Sequence, residues 1–158
     1  MSAGAERAAP AGQRIVVLVG LPGSGKSTWA ARTGLPALSS DTIRKWLADD
    51  EADQSIHYRV FLTLRYLLRH RLAIGRPLTA IDATNLTRDE RRPYLEIGRV
   101  FGCEVEAVYF DVPLDVCRRR NASRARVVPT DALEKMAQKL LPPSLEEGFT
   151  RVTVVRDA

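Results

Sequence analysis

The sequence predicts an α/β fold: a parallel sheet of about five strands with helices on both faces and a small lid. Three observations carry that expectation. Strand-like and helix-like segments alternate from end to end of the 158 residues, a pattern that gives parallel strands joined by helical crossovers. The first apolar segment, Arg14–Val19 (RIVVLV), is continuous rather than alternating, as in a strand buried on both faces. A glycine-rich turn then joins that strand to a helix.

Taken in order, residues 1–13 are small, polar and aperiodic, and are expected to form a disordered tail ahead of a single domain over 14–158. After the first strand, Gly20–Gly25 is a turn and Lys26–Thr33 a short helix stopped by Gly34, with Pro36 beyond it. Ala37–Ser39 reads as a brief strand and Asp41–Leu47 as a turn or two of helix. Ser55–Ile74 carries Tyr58, Phe61, Leu62, Leu68 and Leu72 near helical spacing and closes at Gly75. Leu78–Asp82 is a strand. Thr87 with Glu90 forms a capping-box pair opening a helix to about Phe101. Cys103–Phe110 is a strand, Pro113–Asn121 a helix with proline at its start, and Thr130–Leu140 another helix. Pro142 and Pro143 break that helix, and Arg151–Val155 is the last strand.

Composition narrows the class. Hydrophobic residues are 45% and charged residues 27% of the chain, ordinary for a soluble domain. No apolar run approaches the ~20 residues of a membrane span, and the N-terminus has no signal-peptide core, so a cytoplasmic location without membrane partners is expected. Cys103 and Cys117 lie far apart without CxxC spacing and read as reduced core residues. The net charge of +5 suits a polyanionic partner. Nearly all the basic residues are arginine, a bias that genome composition can produce alone, so placement says more than the sum.

The segment Gly20–Thr28 (GLPGSGKST) matches GxxxxGK[ST] between a strand and a helix. Its glycines let backbone N–H groups of Gly23, Ser24 and Gly25 turn toward phosphate oxygens. The following helix, through Ser27 and Thr28, aims its positive end at the same anion. Lys26 would neutralise the β and γ oxygens, and the Ser27 hydroxyl would ligate Mg²⁺. ATP with magnesium is therefore the expected ligand.

Three further groups bear on what receives the phosphate. Asp41 opens a helix at the carboxyl edge of the sheet, and Arg44 lies one turn on. Such a pair suits a general base beside a grip for an anionic acceptor, and equally a helix cap beside a surface charge. Asp82, at the end of the third strand, could order the water shell of magnesium, brace the acceptor, or form a turn with Asn85. Arg120 and Arg124, if their helix runs on, project together and suit charge on a phosphoryl group in transfer; a basic helix end is the plainer reading. The acidic cluster Asp49, Asp50, Glu51 and Asp53 reads as a solvated turn, His57 and His70 as structural or exposed residues, and Trp29 as core packing.

With these blocks assembled, the chain resembles the 5′-kinase domain of polynucleotide kinases, both the phage enzyme and the kinase module of the bacterial RNA-repair polynucleotide kinase-phosphatase. The resemblance runs from about Ile15 to Val155 through GLPGSGKSTWA, SSDTIR with DDEADQ, IDATN, and RRRNASR leading to VVP. It implies the P-loop kinase fold, with Asp41 as the base for the attacking 5′-hydroxyl and Arg44 on the acceptor phosphate. It likewise implies Asp82 supporting the acceptor site and Arg120 and Arg124 as lid arginines over ATP. Related kinases fuse this module to phosphatase or ligase activities, which a partner chain could supply here. A small-molecule hydroxyl kinase and a non-catalytic ATP switch are the competing readings.

Overall fold

The computed structural model describes residues 12–124 and 127–156. Five parallel strands make one sheet in the order β2-β3-β1-β4-β5. They are β1 (Arg14–Val19), β2 (Ala37–Ser39), β3 (Leu78–Asp82), β4 (Glu104–Phe110) and β5 (Arg151–Val155). The helices are α1 (Lys26–Thr33), α2 (Ser40–Ala48), α3 (His57–Ala73), α4 (Arg88–Phe101), α5 (Leu114–Ala122) and α6 (Thr130–Lys139), with a 3-10 turn at Leu145–Glu147.

Central strand β1 shows why both faces must be covered. Its side chains alternate between two cores. Ile15, Val17 and Val19 pack with Ile43 of α2, with Val60, Leu64, Leu68 and Leu72 of α3, and with Tyr94 and Ile97 of α4. Val16 and Leu18 pack on the other side with Ala30 of α1, Cys117 of α5 and Leu133 of α6. Each fully buried aliphatic side chain contributes roughly 1.5–3 kcal/mol, so three helices per face fix the sheet from both sides. Trp29 joins the second core, its ring edge-on to Phe110 at 5.5 Å.

Two expectations are corrected. The apolar face of α3 is the row Val60, Leu64, Leu68 and Leu72, whereas Tyr58 and Leu62 are 71% and 48% exposed; the strict four-residue spacing of the buried row decides the matter. The helix α5 ends at Ala122, one residue past the expected Asn121 and with Ser123 as its cap, so it does not run on and Arg124 lies beyond it. Gln13 is no tail residue: it is buried, and its Nε2 donates to the Leu72 and Arg76 carbonyls at 3.1 and 3.0 Å. Residues 1–11 of the expected tail lie outside the described residues.

At the start of α4 the Thr87 hydroxyl accepts from the Glu90 N–H, while the Glu90 carboxylate takes the Leu86 N–H at 2.8 Å rather than that of Thr87. Among the described residues, no helix is long and apolar enough to cross a membrane.

Candidate active site

Parallel strands bring every strand-to-helix turn to one edge of the sheet, and a cavity of about 290 Å³ opens there. One wall is the turn after β1. Gly23 and Gly25 hold φ of +82° and +96°, which favours glycine strongly. A side chain at Gly23 would meet the Cys117 carbonyl oxygen at 2.6 Å, so the loop packs directly on α5. No side chain caps α1, whose first turn carries no acidic residue. Its leading N–H groups, at Lys26, Ser27 and Thr28, therefore face the cavity as an anion seat. Ser24 behaves differently. It is buried, its N–H is spent on the Leu21 carbonyl at 3.0 Å, and it is not part of the cavity wall.

Lys26 folds back over its own loop, its Nζ donating to the carbonyls of Gly20 and Leu21, both at 2.9 Å. Burial lowers its pKa to about 8, with nearby Arg124 acting in the same direction against the attraction of Asp82 and Asp41. A buried ammonium bonded to neutral carbonyls is poised for an anion. Ser27 Oγ donates to Asp82 Oδ2 at 2.6 Å. A hydroxyl and a carboxylate at the rim of a phosphate loop are hard oxygen donors of the kind Mg²⁺ takes, so the residues present fit the metal. Asp82 is thus placed at Ser27, the metal side of the cavity.

Across the cavity stands Asp41. The cap of α2 is Ser39, whose hydroxyl accepts from the Thr42 N–H at 3.3 Å, so Asp41 does not serve as one. Its carboxylate lies 3.2 Å from Arg44 Nη1 and 3.6 Å from Arg124 Nη2. Arg44 is only 3% exposed, which rules out a solvated surface charge. Arg120, from the last turn of α5, also lines the cavity. Its neighbour Arg118 instead pairs with Glu134 at 3.1 Å on the surface.

Several contributors lie outside the residues to which the sequence assigns a role in the site. Gln54, His57 and Phe61 complete the wall beside Arg44. The His57 ring packs on Phe61 at 4.7 Å, and burial followed by the Arg44 charge pushes its pKa below the usual range. Only the placement of the α3 N-terminus at the ligand edge could have pointed to it. Asn121 is buried, accepting from the Val128 N–H at 3.0 Å and donating to the Val128 carbonyl at 2.6 Å. It closes the segment that presents Arg124. Asp50 and Asp53 accept from N–H groups of their own turn, at Ala52 and Ser55, each at 2.9 Å. Among the described residues, no group of three or more His, Cys, Asp or Glu could hold a metal ion.

A family model for an AAA domain matches residues 15–143, and the chain belongs to that family. The bifunctional polynucleotide phosphatase/kinase of Schizosaccharomyces pombe is 26% identical over 152 residues, covering 90% of this chain and 33% of that protein. The chain therefore spans about a third of that relative's length. Among solved structures, a chain of the Pnkp1/Rnl/Hen1 RNA repair complex superposes with a TM-score of 0.66 at 24% identity, covering 81% of this chain and 44% of that one. A gluconokinase from Sinorhizobium meliloti 1021 superposes with a TM-score of 0.57 at 22% identity, covering 93% and 83%. At such identities the structural likeness is one of fold.

Proposed function

We propose that this member of the AAA domain family moves the γ-phosphate of ATP to the 5′-hydroxyl of a polynucleotide. One observation carries the reading: a single cavity sets the Asp41 carboxylate and the buried Arg44 guanidinium opposite a phosphate loop. A carboxylate beside a buried cation is a site for a hydroxyl attached to an anion. A 5′ nucleotide, whose hydroxyl lies close to the first phosphodiester, supplies both. The kinase named in the fission yeast relative supports the same acceptor.

In this reading Lys26 and the N–H groups of the loop and of α1 bind the β and γ phosphates and hold them for in-line attack. Ser27 would hold Mg²⁺ directly and Asp82 through its water shell; the ion supplies charge neutralisation on the phosphate oxygens. Asp41 orients the acceptor hydroxyl and takes its proton as the new P–O bond forms and the bond to the β-phosphate oxygen breaks. Arg44 grips the acceptor phosphate. Arg120 and Arg124 meet the negative charge spreading over the phosphoryl oxygens. A phosphatase or ligase acting beside this kinase fits the bifunctional relative and the repair complex.

The likeness to a gluconokinase supports a second acceptor class, a small hydroxy acid. Incubation with γ-labelled ATP and a panel of 5′-hydroxyl RNA, 5′-hydroxyl DNA, gluconate and free nucleosides decides between them. Label on the oligonucleotides is expected. Label on gluconate alone, or release to water alone, would sink the polynucleotide reading, the latter in favour of an ATP-dependent switch.

A further inference from the structure

We infer that the outer face of α3 is the track along which a single-stranded polynucleotide runs away from the cavity, an inference that rests on the acceptor proposed above. The helix has 17 residues and is therefore about 25 Å long. Its first turn belongs to the cavity wall through His57 and Phe61. Opposite the buried row, Tyr58, Leu62 and Tyr66 are 71%, 48% and 61% exposed. At four-residue spacing they form one line on the helix surface. A single exposed apolar side chain is ordinary, but three on successive turns make a patch. The Tyr66 ring is already held against His70 at 4.4 Å.

Charge identifies the occupant. Exposed Arg59 and Arg69 flank the aromatic line, and the α3 sequence HYRVFLTLRYLLRHRLA contains no Asp or Glu. Two exposed tyrosines with arginines beside them, on a helix free of carboxylates, are what a single strand uses: bases stack on the rings and phosphates meet the guanidinium groups. The face starts where the proposed acceptor end is held.

Acceptor length tests this. For the wild-type protein, KM should be about tenfold lower for a long single strand than for a dinucleotide bearing the same 5′ end. Arg59→Ala/Arg69→Ala and Tyr66→Ala should each reduce that advantage severalfold. The double arginine variant should also flatten the salt dependence of long-strand binding by about two log units per log salt. Arg59→Lys/Arg69→Lys and Tyr66→Phe, which keep the charge and the ring, should retain the advantage. The track is overturned if both alanine variants keep the full advantage, or if the wild-type protein turns over both acceptors with equal KM; in that second case the polynucleotide acceptor still stands. Transfer to neither strand overturns the acceptor reading and the track together.

Discussion

Lys26 carries a cost that its ligand should relieve. Its pKa in the folded protein is about 8 against an ordinary 10.5, so burial charges the ligand-free fold about 3 kcal/mol while the amine stays protonated. The sign follows from which state binds more protons. Below pH 8 the amine is protonated in both folded and unfolded chains, and the full cost is present. Between pH 8 and 10.5 the folded protein gives up its proton first, so this residue's contribution to stability improves as pH rises. Lys26→Met should therefore raise the melting temperature of the ligand-free protein most below pH 8, with the gain shrinking toward pH 10.5, as thermal melts across that range would show. Nucleotide phosphates favour the protonated amine, so ATP affinity should fall as pH climbs above 8, with proton uptake on binding measurable by calorimetry in buffers of different ionisation enthalpy. Asp41 obeys a different logic, since its carboxylate is paired with Arg44 and Arg124. Asp41→Asn should cut transfer by at least about a hundredfold with ATP affinity held or tightened, because Arg124 loses a competing anion. Equal losses in turnover and in ATP binding would show Asp41 to be part of the nucleotide site instead.

The loop after β1 and the helix α5 form one unit, and this bears on where Arg120 and Arg124 stand. Gly23 lies so close to the Cys117 carbonyl that a methyl group would force the two elements apart; Gly23→Ala also demands a positive φ of an L side chain. Beyond the helix, Asn121 satisfies both backbone groups of Val128 and so pins the far end of the segment that carries Arg124. Asn121→Ala should cost roughly 1–3 kcal/mol in buried unpaired backbone groups. It should also raise the KM for ATP severalfold, since Arg124 loses its fixed position. Chemical unfolding and steady-state kinetics separate the two effects. A variant that loses stability but keeps its KM would mean that the lid is placed by the α6 side alone. The end of the helix near Asn121 is legible in RRRNASR; the partner of Asn121 is not. The side chain of Asn121 serves a residue seven positions on, a tertiary contact that local spacing does not encode.

For the molecule as a whole, the sheet was legible because it depends on local pattern: a continuous apolar first strand, short apolar or alternating strands after it, and glycines and prolines between elements. The phosphate loop and the Asp41–Arg44 pair were legible for the same reason, as neighbours in sequence. What remained hidden comes from distant segments that meet only in the fold, such as His57 beside Arg44, or Asp82 on Ser27 across 55 positions. The largest hidden feature is Arg91. It is fully buried, bonds Glu147 at 2.8 Å, and donates to the carbonyls of Asn85 and Leu141, both at 2.9 Å. One guanidinium thereby fastens the turn after β3, the end of α6 and the 3-10 turn before β5. Arg91→Met should destabilise the fold by about 3–5 kcal/mol, because Glu147 is left as a buried unpaired charge. That is a large fraction of the roughly 5–15 kcal/mol that holds a domain together. Adding Glu147→Gln removes the charge while keeping an acceptor for the Ser144 N–H, which Glu147 holds at 2.9 Å. Urea unfolding of the double variant should recover part of the loss. If it recovers nothing, the cost lies in the abandoned carbonyls of Asn85 and Leu141, and Arg91 acts as a backbone clamp rather than an ion-pair partner.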